Sequence, residues 1–176
     1  MSFMIEELVK LFPRFAALAT SHDIENVLPP STAEEIGSME TRLGVSFPTD
    51  YKSLLSVTRG FWLMGGVVQF GRQHPFFHEF ERLESLTAIQ QQSVRLKGGH
   101  WPPPSQGMLC FAEFFMEDDG DQVLFDVSSG LVAGEYPVMY YSHEDRPPSV
   151  RRLAQSFKEF MENFLNYPEF ACDEDE

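Results

Sequence analysis

The sequence predicts an α+β fold, with helices towards both ends of the chain and strands between them. Apolar residues recur every three or four positions in the first sixty residues and again after residue 148, which is typical of helices. Between these regions the pattern changes to short apolar runs bounded by turn residues, which is typical of strands. Because helices and strands are segregated rather than alternating, a layered α+β fold is favoured over repeated βαβ units.

The first predicted helix covers residues 3–19. Ile5, Leu8, Phe12 and Phe15 follow a helical spacing, and Pro13 interrupts or restarts the helix.

A second helix is predicted to begin after the breaker "LPPST". Ser31 precedes Glu34 by three positions, which is the spacing of a capping box. Gly44 supplies a left-handed stop. The predicted buried stripe consists of Ala33, Ile36, Met39 and Leu43.

A third helix is predicted in "FPTDYKSLL". Pro48 suits its first turn, Asp50 suits its positive end, and "RG" at 59–60 ends it. The residues expected to face inwards are Tyr51, Leu54 and Leu55.

Four strands are predicted in the middle of the chain. Val67, Val68 and Phe70 form the first, and the others lie in "MLCFAEFF", "QVLFDV" and "VMYYSH". A helix is predicted in "ESLTAIQQQSVRL" and a loop in "KGGHWPPPSQG". The whole segment "SVRRLAQSFKEFMENFL" is predicted to be one amphipathic helix.

The formal net charge of −14 decides which partners are expected. Such a negative field repels phosphate backbones and attracts a basic protein, so a basic protein partner and no nucleic acid are expected. No apolar stretch approaches the length of a membrane span, and the N-terminus does not resemble a signal peptide. A cytoplasmic protein is therefore expected, with Cys110 as a buried free thiol.

The segment "MEDDGDQVLFDV" at residues 116–127 places five acidic residues around Gly120 and then alternates into apolar residues. An EF-hand with Gly120 at its sixth position would place Phe115 at the first, where it cannot bind calcium. A hairpin edge with a polar rim is favoured. The alternative is a metal-dependent enzyme that uses Asp119, Asp121 and His143, with Glu117 as a further candidate.

Few residues have a pattern typical of catalysis. His74 and His78 are four apart, but Pro75 lies between them and argues against a helical metal site. The sequence contains no nucleophile elbow, P-loop or dinucleotide fingerprint. No catalytic residue, no metal and no cofactor are therefore expected.

Aromatic rings beside carboxylates suit a protein-binding surface, because rings anchor a partner and charges steer it. The predicted partner-binding residues are Trp62, Glu117, Asp118, Asp119, Asp121, Tyr140, His143 and Glu144.

Four segments follow one another in the chain: "STAEEIGSMETRLGVSFPTDYKSLLSVTRG", "DDGDQVLFDVSSG", "VMYYSHED" and "RRLAQSFKEFMENFL". Together they resemble the SUKH superfamily, which includes fungal cell-wall-assembly regulators of the Smi/Knr type and many bacterial immunity proteins. The chain departs from the pattern at Arg59-Gly60, where the family usually has Asn-Gly, and it matches only loosely over residues 61–107.

The resemblance implies a curved, largely antiparallel sheet flanked by helices, and a non-enzymatic role. It divides the chain into a helical extension (1–30), a SUKH-like domain (31–165) and an acidic tail (166–176). The implied function is a bacterial immunity protein that neutralises a cognate toxin, often a nuclease, by binding it. A regulatory or scaffold protein with an endogenous partner is the alternative.

Overall fold

The computed structural model is an α+β structure with one antiparallel sheet and helices packed against it. It describes residues 3–14, 16, 24–25, 27–63, 68–70, 108–113, 121–142, 145 and 149–163. The helices within these residues are α1 (Phe3–Leu11), α2 (Ala33–Leu43), α3 (Thr49–Leu55) and α4 (Phe157–Glu162). The strands are β1 (Ile24–Glu25), β2 (Phe61–Leu63), β3 (Val68–Phe70), β4 (Met108–Glu113), β5 (Gln122–Asp126), β6 (Val138–Ser142) and β7 (Ser149–Ala154).

The seven strands lie in the sheet in the order in which they occur in the sequence, and each neighbouring pair is antiparallel. The sheet is open, with β1 and β7 at its two edges. Strands β4 to β7 are the long ones, and the pairs β4–β5 and β6–β7 each contain a register shift. The predicted α+β class, with a largely antiparallel sheet, is confirmed.

Helix α1 ends at Leu11, just before the predicted break at Pro13. Leu8 and Phe12 are buried, and the Phe12 ring meets the Phe157 ring of α4 edge to face at 5.8 Å. The N-terminal helix therefore shares the core of the domain, although it lies outside the segment that resembles the SUKH pattern.

The capping box of α2 lies one residue later than predicted. Thr32, not Ser31, is the N-cap: its hydroxyl accepts a hydrogen bond from the Glu35 N–H at 3.2 Å, and Glu35 Oε2 accepts from the Thr32 N–H at 2.7 Å. Ser31 is engaged elsewhere, because its N–H donates to the Leu55 carbonyl at 2.8 Å. Ala33, at the first position of the helix, is exposed rather than buried.

The rest of the predicted α2–α3 pattern agrees with the structure. Ile36 and Leu43 are buried and Met39 is half-buried. Gly44 has φ 68° and ψ 21°, the left-handed conformation expected at a helix stop. The three predicted inward residues of α3 are all buried, but the helix ends at Leu55, before the predicted "RG".

The segment after residue 148 was predicted to be a single helix, and this is wrong. Its first part, Ser149–Ala154, is strand β7, and the helix begins only at Phe157. Ser156 marks the boundary, because its hydroxyl accepts a hydrogen bond from the Glu159 N–H at 3.1 Å. The pairing of β7 with β6 outweighs the helical spacing of Leu153 with Phe157.

Strands β4, β5 and β6 confirm the three predicted strands, and β3 confirms the strand at residues 68–70. Strands β1 and β2 were not predicted. The helix predicted in "ESLTAIQQQSVRL", the loop at 97–107 and the pair His74 and His78 lie outside the described residues.

Aromatic rings fill the space between the sheet and the helices. Phe111 of β4 stacks on Phe125 of β5 with ring centroids 4.2 Å apart. Tyr51 of α3 and Phe157 of α4 pack against both rings, at centroid distances between 5.2 and 5.9 Å. Among the described residues, seven phenylalanines are buried in this core: Phe12, Phe47, Phe61, Phe111, Phe125, Phe157 and Phe160.

The hairpin between β5 and β6 joins the sheet to two helices through Glu135. Its Oε1 accepts from the Asp50 N–H of α3 at 3.1 Å, and its Oε2 accepts from the Phe157 N–H of α4 at 3.4 Å. The N-cap of α3 is Pro48, whose side chain cannot accept a hydrogen bond. Glu135 therefore supplies the acceptor that the sequence of α3 lacks.

Candidate protein-binding surface

Four strand ends lie side by side at one end of the sheet. Glu113 pairs with Gln122, Gln122 pairs with Tyr141, and Ser142 pairs with Ser149. We call this region, with the connecting segments 114–121 and 143–148, the acidic sheet end. By sequence, the connecting segments contain six of the eight predicted partner-binding residues: Glu117, Asp118, Asp119, Asp121, His143 and Glu144.

The structure describes Asp121 and Tyr140 fully among the eight predicted residues. Trp62 lies in β2, and its backbone register continues through Gln69 of β3 to Glu113 at the acidic sheet end. The side chain of Trp62 lies outside the described atoms. Glu117, Asp118, Asp119, His143 and Glu144 also lie outside the described residues.

Asp121 and Tyr140 contact each other. The Tyr140 hydroxyl donates a short hydrogen bond to Asp121 Oδ2, and the two residues are only 7% and 3% exposed, respectively. A buried carboxylate needs such donors, because removing a charge from water is costly. The pair is therefore buried at the acidic sheet end, and its role in partner binding remains a prediction.

Two arginines that were not singled out from the sequence lie on β7, and the first of them contacts this pair. The Arg151 guanidinium stacks over the Tyr140 ring at 5.0 Å, and Arg152 Nη1 donates to Gln155 Oε1 at 3.3 Å. Both arginines are exposed. They were missed because their segment was assigned to a helix; the Ser156–Glu159 spacing is the signal that could have placed the helix start after them.

Tyr141 and Gln122 pair across β5 and β6 and are both buried. Strand alternation directs them to the face opposite Tyr140. Burial raises the pKa of the Tyr141 hydroxyl well above its ordinary value, and the negative charge of Asp121 adds to the effect. The hydroxyl therefore stays protonated at neutral pH.

Replacing Tyr140 by phenylalanine tests the role of the buried hydrogen bond. The variant keeps the ring under Arg151 but deprives Asp121 of a donor, so we expect the free energy of unfolding to fall by about 1.5 kcal/mol. Urea denaturation followed by circular dichroism measures this. A matched Ser142→Ala variant, two residues along β6, should change stability by less than about 0.5 kcal/mol. Equal stability of Tyr140→Phe and the wild type would show that the bond contributes nothing net.

Within the described part of the chain, no three His, Cys, Asp or Glu side chains are grouped so as to hold a metal ion. Asp126, one of the carboxylates of the segment 116–127, accepts hydrogen bonds from the backbone N–H and hydroxyl of Ser128 and so shapes the turn after β5. Cys110 is buried, as predicted, and its thiol donates to the Ala112 carbonyl at 3.3 Å.

The fold is that of an α+β domain with an open, antiparallel sheet. The profile of the SMI1 / KNR4 family (SUKH-1) matches residues 30–163, which is more than half of the chain, so the chain belongs to this family. The resemblance seen in the sequence is thereby confirmed. Domains of this family are generally non-catalytic immunity or regulatory proteins.

Comparison with curated proteins gives no match. Among the described helices, none has the length and apolar character needed to cross a bilayer.

Arg59 replaces the asparagine that the family usually has before glycine, and the structure gives this arginine a role. Its Nε donates to the Pro29 carbonyl at 3.1 Å, and one Nη donates to the Pro30 carbonyl at 3.3 Å. The same guanidinium lies 3.6 Å from the Glu35 carboxylate. Arg59 therefore holds the segment before α2 against the end of α3.

Proposed function

We propose that this protein is an immunity protein that neutralises a cognate toxin by binding it, without catalysing a reaction. The membership of residues 30–163 in the SMI1 / KNR4 family carries the proposal, since domains of that family are generally non-catalytic immunity or regulatory proteins. We place its action in the cytoplasm, where a thiol such as that of Cys110 stays reduced.

The charge of the chain supports a basic partner, such as a nuclease-type toxin. A net charge of −14 produces a negative field that accelerates the approach of a basic protein and disfavours acidic competitors. Nucleases must attract phosphate backbones and therefore carry basic surfaces. An acidic protein that covers such a surface would exclude the nucleic acid.

The acidic sheet end is the surface that we propose for this contact. Its connecting segments carry Glu117, Asp118, Asp119, His143 and Glu144, and Trp62 lies in the same sheet. The buried Asp121–Tyr140 pair would hold the strand ends in position beneath the contact. Charged groups at the rim would mainly set the association rate, and an aromatic anchor would set the lifetime of the complex.

Co-expression with a basic toxin domain encoded beside this protein tests the proposal. We expect growth to be restored and the two proteins to purify as a complex whose association rate falls steeply with salt. The variant Asp118→Lys/Asp119→Lys should slow association by about tenfold or more.

A matched variant separates a local contact from the general field. Glu6→Lys/Glu34→Lys changes the net charge by the same amount, at residues of α1 and α2 that are exposed. It should slow association much less. Equal slowing by both variants would show that the acidic sheet end is not the contact, whereas failure to protect and to form any complex would rule out toxin neutralisation.

The alternative is a regulatory or scaffold protein with an endogenous partner, which the same family also includes. A stoichiometric complex with a resident protein of the same cell, together with no protection against the toxin, would favour this function.

A further inference from the structure

Among the described strands, β7 lies at an edge of the sheet. It pairs with β6 and ends the strand order. Val150, Arg151 and Arg152 are exposed, and Val150 has 37% of its surface accessible. We call these three residues the arginine edge. An edge strand presents backbone N–H and C=O groups to which a further strand can pair.

The two guanidinium groups of the arginine edge are positioned by their neighbours. The ring of Tyr140 lies under Arg151 at 5.0 Å, and Tyr140 is in turn held by the buried Asp121. Gln155 accepts from Arg152 at 3.3 Å. Both side chains therefore lose less conformational freedom on binding than arginines on an open surface would.

Adjacent residues of a strand point to opposite faces, so Arg151 and Arg152 flank the backbone of β7 on both sides. Arg151 pairs with Tyr140 and Arg152 with Met139, which confirms that they lie on opposite faces. A strand added beside β7 would therefore meet one guanidinium above and one below the sheet.

Charges on an edge commonly serve to repel unwanted strands. Two arginines repel basic strands but complement a strand with two adjacent carboxylates, which guanidinium groups bind in a forked geometry.

We propose that the arginine edge binds an extended acidic segment of a partner protein by adding it to the sheet as an eighth strand. Backbone hydrogen bonds to β7 would provide the affinity, and the two arginines would select adjacent Asp or Glu residues. This surface has the opposite charge preference to the acidic sheet end, so the proposal goes beyond toxin neutralisation and does not depend on it. A second copy of the chain is disfavoured as the occupant, because antiparallel pairing of two β7 strands would bring arginines together.

Titration of the ¹⁵N-labelled protein with a synthetic peptide tests the proposal. The peptide alternates valine and threonine and has two adjacent aspartates at its centre; a matched peptide has two lysines instead. We expect the acidic peptide to shift the amide signals of residues 149–152 and to bind about tenfold or more tightly than the lysine peptide. Equal binding of both peptides, or no binding of the acidic one, would overturn the proposal.

Two further arms separate strand addition from simple charge attraction. Arg151→Glu/Arg152→Glu should reverse the preference between the peptides, whereas Lys10→Glu/Arg42→Glu, which makes the same charge change on α1 and α2, should leave it unchanged.

Methylation of alternate peptide nitrogens removes the donors that face β7 and should abolish binding. An acidic peptide that binds equally well after methylation would disprove strand addition. Self-association of the free protein that Arg151→Glu/Arg152→Glu abolishes would show that a second copy occupies the edge.

Discussion

Replacing Phe157 by alanine is expected to lower the free energy of unfolding by about 3–5 kcal/mol, the usual cost of emptying a buried ring site. Phe157 is fully buried and lies within ring-contact distance of Phe12, Tyr51, Phe111 and Phe125. Its removal would therefore loosen two helices and two strands at once. Urea denaturation followed by circular dichroism measures the loss.

Two control variants show whether the loss comes from packing. Phe157→Leu retains most of the buried volume and should cost clearly less than the alanine variant. Lys158→Ala, at the next and exposed position, should remain within about 0.5 kcal/mol of the wild type. A Phe157→Ala cost below about 1 kcal/mol would contradict the central position of this ring.

Replacing Glu135 by alanine is expected to lower the free energy of unfolding by about 2–3 kcal/mol. The carboxylate accepts hydrogen bonds at the start of both α3 and α4, and each cap is worth about 1 kcal/mol or somewhat more. Pro48 offers α3 no side-chain substitute. Urea denaturation at neutral pH measures the effect, and a loss below about 0.5 kcal/mol would show that water replaces the carboxylate at both helices.

The pH dependence of a Glu135→Gln variant provides a second test. Burial raises the pKa of Glu135 above its ordinary value of 4.5, and the nearby Asp50 charge adds to this, although hydrogen bonds from the backbone act in the opposite direction. The folded state therefore holds the proton more tightly than the unfolded state. The resulting contribution to stability is complete below the unfolded pKa and is lost as pH rises through the folded pKa.

Glutamine cannot titrate, so the stability of the wild type relative to Glu135→Gln should increase as pH is lowered from about 7.5 to about 4.5. Other carboxylates affect both proteins equally and cancel in this difference. A difference that stays constant or decreases over this range would show that the pKa is not raised.

Much of the fold could be predicted from local signals. The left-handed stop at Gly44 and the inward residues of α3 depend on a few neighbouring positions, so they can be predicted from the local sequence. Strand β7 could not be predicted in this way. Its residues "SVRRLA" do not alternate between apolar and polar, and they become a strand because β6 pairs with them.

The candidate site was predictable only in part. Carboxylates and aromatic rings identified Asp121 and Tyr140, but sequence patterns do not reveal that the two bond to each other and are buried. Arg151 and Arg152 become conspicuous only once the strand register places them at an edge. Burial and register depend on contacts between distant parts of the chain, and a single sequence does not report these.

Each strand pairs with the strand that precedes it in the chain. The length of one connecting segment therefore does not affect the pairing of the other strands. Residues 71–107 connect β3 to β4, two adjacent strands, so their length does not alter the order of the others. A change in the length of this segment would therefore leave the pairing order of the sheet unchanged.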